Sequence, residues 1–266
     1  MKRLCAYYGI SKSGYYKKLN HLEHERIYED LVLQEVRQIR TESPYYGTRK
    51  VWREMKTGGF RIGRDRLHKI LVRNGLIQPI RYKKIHTSVP GNLGISAQNL
   101  VKNLPITHKN QVWATDITYV YTLEGIVYIS ALMDIYSRKI ISATVSTNLK
   151  TTGSLACLHG ALKTVEDAKG IIHHSDHGTQ YCSYAYLETL LANHMEVSFT
   201  GTDHCYDNAK MERFWKTLKY EYGLKDVIKS KYLACKLINN AIDHYNHRRL
   251  HAALNYRVPA EVYNAA

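Results

Sequence analysis

Three segments rich in β-branched and aromatic residues follow one another between residues 111 and 149, and they limit the possible folds most strongly. They read QVWATDITYVYT (111–122), IVYISALMDIYS (126–137) and KIISATVSTNL (139–149). Residues of these types favour strands, and the polar breaks between the segments are too short for a crossover connection. The segments therefore predict three consecutive antiparallel strands.

Helical and extended patterns alternate after these strands. The patterns predict a helix over 151–168, a strand at GIIHHS, a helix over 181–194, a strand at MEVSFT and a helix over 207–222. Another helix is expected at about 231–247. Three strands followed by this alternation predict an α/β fold, in which helices flank a mixed five-stranded sheet.

The first 85 residues carry helical patterns only. Gly9 is expected to end a short helix and Ser11 to cap the next, and residues 22–41 predict a longer amphipathic helix. A second pair of helices is predicted around a turn at Gly58-Gly59, with Gly75 closing the second of them. We interpret this region as an all-α, helix-turn-helix-type DNA-binding region.

The last of these helices carries basic residues outside its apolar stripe. They are Arg64, Arg66, Lys69 and Arg73. Such side chains contact phosphates or base edges when a helix lies in the major groove. An ordinary surface helix would carry the same charges, so a solvated helix face is the alternative interpretation.

The formal net charge of +15 is concentrated in the N-terminal part of the chain. Residues 1–84 carry a net charge of +12, residues 107–200 carry −2 and residues 201–266 carry +4. A basic region of this kind indicates a polyanionic partner such as double-stranded DNA. The alternative is a basic face that is simply solvated.

Residues 86–106 are poor in charge and contain two prolines and two glycines, which is typical of a linker. The sequence thus predicts four parts. They are a helical DNA-binding region (1–85), the linker (86–106), an α/β core (107–224) and a C-terminal helical segment (225–266).

Five scattered cysteines without a CxxC pair argue against both a disulfide framework and a zinc–thiolate site. The sequence contains no apolar run long enough to span a membrane and no recognisable secretory leader. We expect a protein of a reducing compartment, the cytoplasm, without a membrane partner.

Three carboxylates fall at positions that solvation alone does not explain. Asp116 lies inside the first predicted strand, where aspartate is disfavoured and a buried charge needs a partner or a metal ion. Asp176 follows the fourth strand, at the end where open α/β sheets place functional residues. If strands one and four are neighbours, the two aspartates face each other.

Glu212 is the third carboxylate. On the helix DNAKMERFWKTLKYEY, the apolar residues follow the spacing of a buried stripe, which leaves Asn208, Glu212, Lys216 and Lys219 along its edge. Glu212 can then point toward the sheet edge while the two lysines face outward. The lysines are candidate DNA contacts, and Asn208 is a candidate supporting residue.

Three converging carboxylates would repel one another and would also repel DNA. Divalent cations resolve both problems, because Mg²⁺ takes hard oxygen ligands and bridges to phosphate oxygens. Two such ions can activate the attacking oxygen and stabilise the leaving oxygen of a phosphoryl transfer. Most acidic residues are nevertheless solvated, so no one of the three indicates a site by itself.

Other polar residues have simpler interpretations. Asp207 is expected to cap the helix that follows it, and Asp134 to form a turn or a salt bridge with Arg138. His174 would share the face of Asp176 and can support it by a hydrogen bond. Arg249 and His251 could contact phosphate, although packing or capping roles are equally compatible with the sequence.

Five ordered motifs identify a family resemblance. They are WxTDIT (113–118), DIYSR (134–138), HSDxGxQY (174–181), DNAxxExFxxTLKxE (207–221) and YNxxRxHxxLxYxxP (245–259). Together they resemble the catalytic second frame of two-frame bacterial insertion-sequence transposases, which belong with retroviral integrases in the DDE group. Between Asp176 and Glu212 lie 35 residues, the spacing of that group.

The resemblance implies a ribonuclease H-like core with Asp116, Asp176 and Glu212 as catalytic residues and as ligands of two Mg²⁺ or Mn²⁺ ions. It implies hydrolysis of a phosphodiester at the element's end, followed by attack of the freed 3′-hydroxyl on a second phosphodiester. The implied partners are terminal-repeat and target DNA, further copies of the chain on DNA, and an upstream-frame protein or frameshift fusion. The resemblance also implies that the protein is located at the bacterial nucleoid, in the cytoplasm.

One segment departs from the family pattern, because Asp203 occupies a loop position before Glu212 where glycine is expected. Two other functions share the predicted fold. One is a DNA-binding regulator without catalysis, which would use the basic region alone. The other is a ribonuclease H-like nuclease that cuts DNA without joining it.

Overall fold

The structure, a computed structural model, describes residues 5, 7, 9–78, 98–201 and 208–266. Contacts divide the chain into two compact units, Met1–Lys83 and Lys84–Ala266. Within the described ranges, no helix combines the length and the apolar character that crossing a membrane requires. Most of the predicted linker lies outside the described residues.

The first unit contains α1 (Lys12–Glu42), α2 (Thr48–Thr57) and α3 (Arg64–Arg73). Ser11 caps α1 as predicted, since its Oγ accepts a hydrogen bond from Gly14 N at 2.9 Å. The predicted break before residue 22 was wrong. After Gly14, the segment contains no glycine or proline that would interrupt the helical hydrogen bonds, so one helix of 31 residues forms.

A small apolar core holds these helices together. Its buried residues include Val32 and Val36 of α1, Val51 and Met55 of α2, and Leu67, Ile70 and Leu71 of α3. Gly59 and Gly75 adopt left-handed backbone with φ of 84° and 65°, each directly after the C-cap residue of its helix, Gly58 for α2 and Asn74 for α3. Only glycine takes this conformation without strain, which is why the predicted turns were found at these residues.

The second unit alternates strands and helices in the predicted order. Its strands are β1 (Val112–Thr122), β2 (Gly125–Asp134), β3 (Ile140–Ser146), β4 (Ile172–Ser175) and β5 (Glu196–Phe199). Its helices are α4 (Thr151–Leu162), α5 (Tyr184–Ala192), α6 (Ala209–Glu221), α7 (Lys231–His247) and α8 (Pro259–Asn264).

The five strands form one mixed sheet in the order β3-β2-β1-β4-β5. β1, β2 and β3 pair antiparallel, which confirms the predicted meander. β4 pairs parallel to both β1 and β5. The first and fourth strands are therefore neighbours, which is the arrangement that the prediction for Asp116 and Asp176 required.

Alternation along β1 sends successive side chains to opposite faces of the sheet. Val112 and Ala114 join the core formed with α6 and α7, whereas Trp113 joins the core formed with α4 and α5. The same alternation separates His173 from His174. His173 lies beside Tyr186 of α5, with Nε2 2.9 Å from the tyrosine hydroxyl.

The strand β2 and the helix α4 both end earlier than predicted, and a side-chain hydrogen bond explains each end. β2 ends at Asp134, whose Oδ1 accepts from Ser137 N and whose Oδ2 accepts from Asn110 N, each at 2.7 Å. The turn predicted for Asp134 is thereby confirmed. α4 ends at Leu162, and Thr164 Oγ1 donates to Ala161 O at 2.7 Å, which competes with further helical bonding.

Two basic residues near the C-terminus serve packing. The buried guanidinium of Arg249 donates from Nε and Nη2 to the two carboxylate oxygens of Glu221, both at 2.7 Å. His251 packs edge-on against Tyr245, with 4.8 Å between the ring centroids. The packing interpretation of Arg249 and His251 is the one that the fold supports.

Candidate active site

Asp116 and Asp176 are brought together by the pairing of β1 with β4. Ala114 is the register partner of His174, and each aspartate lies two residues further along its strand direction. Parallel strands advance together, and residues two apart share a face of the sheet. The two carboxylates therefore extend toward one notch, where β4 has ended and β1 continues.

The carboxylate of Asp116 is oriented by two donors. Ile117 N donates to Oδ1 at 2.8 Å, and the indole Nε1 of Trp215 donates to Oδ2 at 2.9 Å. Trp215 lies on α6, so this hydrogen bond joins the helix to the strand. Since each carboxylate oxygen has a second lone pair, Asp116 can still ligate a cation.

Burial and neighbouring negative charge perturb Asp116. Its pKa is raised to about 7, first by burial and then by the charge on Asp176, with a smaller contribution from Glu212. The hydrogen bonds from Ile117 and Trp215 act in the opposite direction. Part of Asp116 remains accessible to solvent, although its carboxylate is densely surrounded. A cation would relieve this repulsion.

Asp176 is exposed and begins a tight loop. Its Oδ1 accepts a hydrogen bond from Gly178 N at 3.0 Å. A Cβ at residue 178 would lie 2.9 Å from the same oxygen, closer than such contacts occur. A larger residue at position 178 would therefore displace the Asp176 carboxylate from its present position.

Glu212 lies in the first turn of α6, three residues before Trp215. Its Oε2 is 3.5 Å from Lys216 Nζ, and nearly half of each side chain is exposed. In the described part of the chain, no group of three His, Cys, Asp or Glu side chains is close enough to hold a metal ion. The structure therefore brings Asp116 and Asp176 to one notch and places Glu212 at its edge, turned toward a lysine.

The two predicted supporting residues stabilise the strands around the notch. Asn208 Nδ2 donates to Thr115 O at 3.2 Å, which fixes the start of α6 to β1. His174 is buried, and its Nδ1 lies 2.9 Å from Ser198 Oγ on β5. A direct contact of His174 with Asp176 stays a prediction.

Of the two lysines expected to face outward on α6, only Lys216 is well exposed. Lys219 is half-buried, with Nζ 4.8 Å from the ring centroid of Tyr119. Burial lowers the pKa of Lys219, while Tyr119 and Asp116 act to raise it. Lys219 is therefore close enough to Asp116 for the two charges to interact.

The basic residues of α3 lie on its exposed face, but three of them have acidic partners. Arg64 pairs with Asp65 at 2.9 Å, Arg66 with Glu25 at 2.7 Å and Arg73 with Glu29 at 2.8 Å. Lys69 is exposed and forms no ion pair with any described residue. Their proposed DNA contacts stay predictions.

Sequence reasoning missed the role of Trp215. It placed this residue in the buried stripe of α6 without assigning a partner to its indole N–H. A signal existed, because a buried tryptophan N–H usually finds an acceptor and Trp215 lies one turn after Glu212. The predicted cap Asp207 and the unexpected Asp203 fall outside the described residues.

Family comparisons agree with this geometry. Two integrase core domain profiles match residues 106–205 and 193–259, and an HTH-like domain profile matches residues 28–84. An insertion element IS600 protein of 31 kDa from Shigella sonnei is 33% identical, over 97% of this chain and 96% of its own. The transposase of insertion sequence IS904 from Lactococcus lactis is 32% identical, over 83% of this chain and 88% of its own.

A solved structure supports the fold. The simian T-cell lymphotropic virus intasome contains a chain that is similar with a TM-score of 0.51 and 14% identity, over 86% of this chain and 74% of that chain. This likeness and the core profiles confirm an integrase-like, ribonuclease H-type sheet preceded by a helical HTH-like region. The integrase-like fold implies dependence on a divalent metal ion. The chain belongs to the IS3 family of insertion-sequence transposases, which are DDE polynucleotidyl transferases.

Proposed function

We propose that Asp116, Asp176 and Glu212 are the catalytic carboxylates and hold two divalent cations, Mg²⁺ or Mn²⁺. With them, the chain would cut DNA at the ends of its insertion element and join the freed 3′-hydroxyl to target DNA. The observation that carries this proposal is the pairing of β1 with β4, which brings Asp116 and Asp176 to one notch. Glu212 is near enough to this notch that its charge, like that of Asp176, raises the pKa of Asp116.

The chemistry of the donor set supports a hard divalent cation. Carboxylate oxygens are the ligands that Mg²⁺ and Mn²⁺ prefer, and like charges at close range favour a cation between them. Bound cations would activate the attacking oxygen and stabilise the leaving oxygen of an in-line phosphoryl transfer. Trp215 and Ile117 N would hold Asp116 in a fixed orientation during these steps.

The present orientation of Glu212 is compatible with this role. Its ion pair with Lys216 is exposed, and exposed pairs of this spacing stabilise a helix by only about 0.3–0.5 kcal/mol. A carboxylate that ligates a divalent cation exchanges the single charge of a lysine for a double charge at shorter range, so this weak pair does not hold Glu212 in place. Rotation of the flexible Glu212 side chain toward Asp116 would then complete the set.

The proposed partners are terminal-repeat DNA, target DNA and further copies of the chain. The basic N-terminal part of the chain, with a net charge of +12 over residues 1–84, supports attraction of DNA. The similar solved chain comes from an intasome, which supports assembly of several copies on DNA. We further propose that an upstream-frame protein, or a frameshift fusion with it, contributes to recognition of the element's ends.

A strand-transfer assay tests the function. The full chain is incubated with labelled duplexes that carry the ends of its own element, with plasmid target and with Mg²⁺. Joined products support the transposase, cut ends alone favour a nuclease, and intact bound DNA favours a regulator without catalysis.

Charge-neutral variants test the residues. Asp116→Asn, Asp176→Asn and Glu212→Gln should each abolish cleavage while binding of the same duplex persists. Asp243→Asn is the matched control, because Asp243 is an exposed carboxylate on α7 that pairs with His247. Full cleavage by any of the three site variants would remove that residue from the proposed set.

A further inference from the structure

A turn with two adjacent basic residues lies at the end of the sheet where β1 begins and β2 ends. This turn spans residues 135–139 and includes most of the DIYSR motif. Asp134, just before it, is the register partner of Trp113 at the start of β1. Arg138 has φ of 63°, and its backbone N–H donates to Asp134 O at 2.8 Å. The turn therefore places Arg138 and Lys139 at this end of the sheet.

A second lysine lies close to Lys139. Lys109 and Lys139 both lie over the ring of Tyr263 on α8, with Nζ 5.4 and 4.1 Å from its centroid. The hydroxyl of Tyr263 donates to Asn110 Oδ1 at 3.0 Å, which fixes the ring against the segment before β1. One aromatic ring thus holds two cations near each other.

The start of α6 adds two more cations. Lys210 lines the same cavity as Ile135, the first residue after β2, so it lies close to the turn. Arg213 follows Lys210 by three residues on α6, so the two share a side of the helix. We call the five basic residues of this surface the basic track; they are Lys109, Arg138, Lys139, Lys210 and Arg213.

The carboxylate inside the turn only partly offsets these charges. Asp134 is fully buried, and its oxygens accept hydrogen bonds from Asn110 N, Ser137 N and Ser137 Oγ. Among the residues that the structure describes, none of the basic track has a carboxylate within ion-pair distance. Five cations therefore share one engaged carboxylate, which leaves a surface that attracts anions.

The members of the basic track are close enough to affect one another. Burial lowers the pKa of Lys210, and the charge of Arg138 lowers it further, whereas Asp134 acts to raise it. Burial also lowers the pKa of Lys139, which Asp134 raises and Lys109 lowers. An anion bound over the track would favour the charged form of both lysines.

The basic track begins beside the carboxylate notch. Lys210 and Arg213 flank Glu212 on α6. Trp113 lies three residues before Asp116 on β1, so this end of the sheet is roughly 10 Å from Asp116 at ~3.3 Å per residue. Along a duplex axis, roughly 10 Å covers about three successive phosphates of one strand. DNA with one phosphodiester at the notch can therefore continue along the track.

We propose that the basic track binds the sugar–phosphate backbone of duplex DNA next to the carboxylate notch. The ligand class is duplex of any base sequence, because contacts to phosphate carry no sequence information. Arg138 and Arg213 can each bind a phosphate through two N–H groups, while the three lysines act as point charges. The inference rests on the proposed function in taking DNA as the partner, and it assigns to the second unit a DNA-binding surface of its own.

Lysine footprinting of the full chain tests this surface. The chain is treated in EDTA with a limiting amount of an acetylating N-hydroxysuccinimide ester, with and without a saturating duplex of about 30 base pairs. Peptide mass spectrometry measures acetylation at each lysine. Bound DNA should slow acetylation of Lys109, Lys139 and Lys210 about threefold or more, because a lysine that contacts phosphate is shielded from the reagent. Lys163 and Lys169, which are exposed on the same unit, should react at unchanged rates.

A variant without the three lysine charges gives a second measurement. Lys109→Gln/Lys139→Gln/Lys210→Gln should lower the slope of log affinity against log salt by about two to three, at ~0.9 for each lost phosphate contact. The corresponding triple arginine variant keeps the charges and should keep the native slope. Retention of the slope in the arginine variant, together with its loss in the glutamine variant, would separate charge from packing.

The matched control removes the same net charge elsewhere. Lys163→Gln/Lys169→Gln/Lys236→Gln changes three exposed lysines of the second unit and should leave the salt slope unchanged. A slope that falls equally in both glutamine variants would overturn the proposal, since only net charge would then matter. A loss of affinity confined to one base sequence would contradict recognition of the backbone.

Footprinting also separates this inference from the proposed catalysis. If Lys109, Lys139 and Lys210 react equally with and without DNA, in a chain that a gel shift shows to be bound, the basic track is not a DNA-binding surface. Protection of these lysines by single-stranded DNA but not by duplex would likewise overturn the proposal. Because EDTA removes divalent cations, protected lysines in a chain that neither cuts nor joins DNA would refute the catalytic proposal and support this one.

Discussion

The indole Nε1 of Trp215 donates a hydrogen bond of 2.9 Å to Oδ2 of Asp116, and so connects the helix that carries Glu212 to the strand that carries the first aspartate. The other oxygen of Asp116 is held by Ile117 N. The carboxylate is therefore fixed in orientation before any ligand arrives. Removing a hydrogen-bond partner of a metal ligand commonly lowers metal affinity or activity by about 10- to 100-fold.

Trp215→Phe should raise the Mg²⁺ concentration for half-maximal cleavage by roughly tenfold, because Oδ2 of Asp116 loses its donor while the buried ring is largely kept. Mg²⁺ titrations of the cleavage rate measure this change. Trp113→Phe is the matched control, since its indole donates to Asn110 Oδ1 at 3.0 Å, away from the carboxylates. An unaltered Mg²⁺ requirement in Trp215→Phe would show that Trp215 serves packing only.

Asp116→Asn should stabilise the folded chain at neutral pH when divalent cations are absent. Burial raises the pKa of Asp116 to about 7 from an ordinary value near 3.8. Between these values the folded chain holds a proton that the unfolded chain has released, so stability falls as pH rises from about 4 to about 7. The stability of the Asp116→Asn variant should not show this decrease with pH.

Urea unfolding of both proteins in EDTA at pH 4 to 8 measures the effect. The difference in unfolding free energy should be small near pH 4 and should grow by about 2 kcal/mol toward pH 8. This is roughly half of what the pKa value alone gives, because Asp116 keeps some access to solvent. A difference that does not change with pH would contradict the raised pKa.

Much of the fold could be predicted because local patterns and tertiary packing agree. Segments rich in β-branched and aromatic residues specified β1, β2 and β3, and the short breaks between them specified their antiparallel pairing. The ends of β2 and α4 could not be predicted so well. They depend on single side-chain hydrogen bonds, from Ser137 N to Asp134 and from Thr164 to Ala161 O, which compete with the backbone pattern.

The site was predictable to the extent that it follows from sheet order. Once β1 and β4 are neighbours, register alone places Asp116 and Asp176 at the same notch. The hydrogen bond from Trp215 and the orientation of Glu212 depend on how α6 rotates against the sheet and on a flexible side chain. Periodicity identifies the buried face of a helix, but it does not resolve such contacts.

Removal of one partner of the Arg249–Glu221 pair should destabilise the chain strongly. The guanidinium is buried and doubly hydrogen-bonded to the carboxylate at 2.7 Å, so Glu221→Gln leaves a buried charge without its counter-charge. We expect a loss of roughly 3 kcal/mol in urea unfolding. The double variant Arg249→Met/Glu221→Gln should lose less than Glu221→Gln alone. A larger, additive loss in the double variant would contradict charge pairing as the cause.

DNA binding by the first unit should depend on which basic residues of α3 lack acidic partners. Lys69→Ala should weaken binding and lower the slope of affinity against salt by about one, as for a phosphate contact. Glu25→Gln should instead strengthen binding, because it frees Arg66, which now pairs with Glu25 at 2.7 Å. Gel-shift titrations at several salt concentrations measure both effects.

Glu35→Gln is the matched control, because Glu35 lies on α1, the helix that also carries Glu25. If Lys69→Ala and Glu25→Gln both bind like the native chain, α3 does not face the DNA.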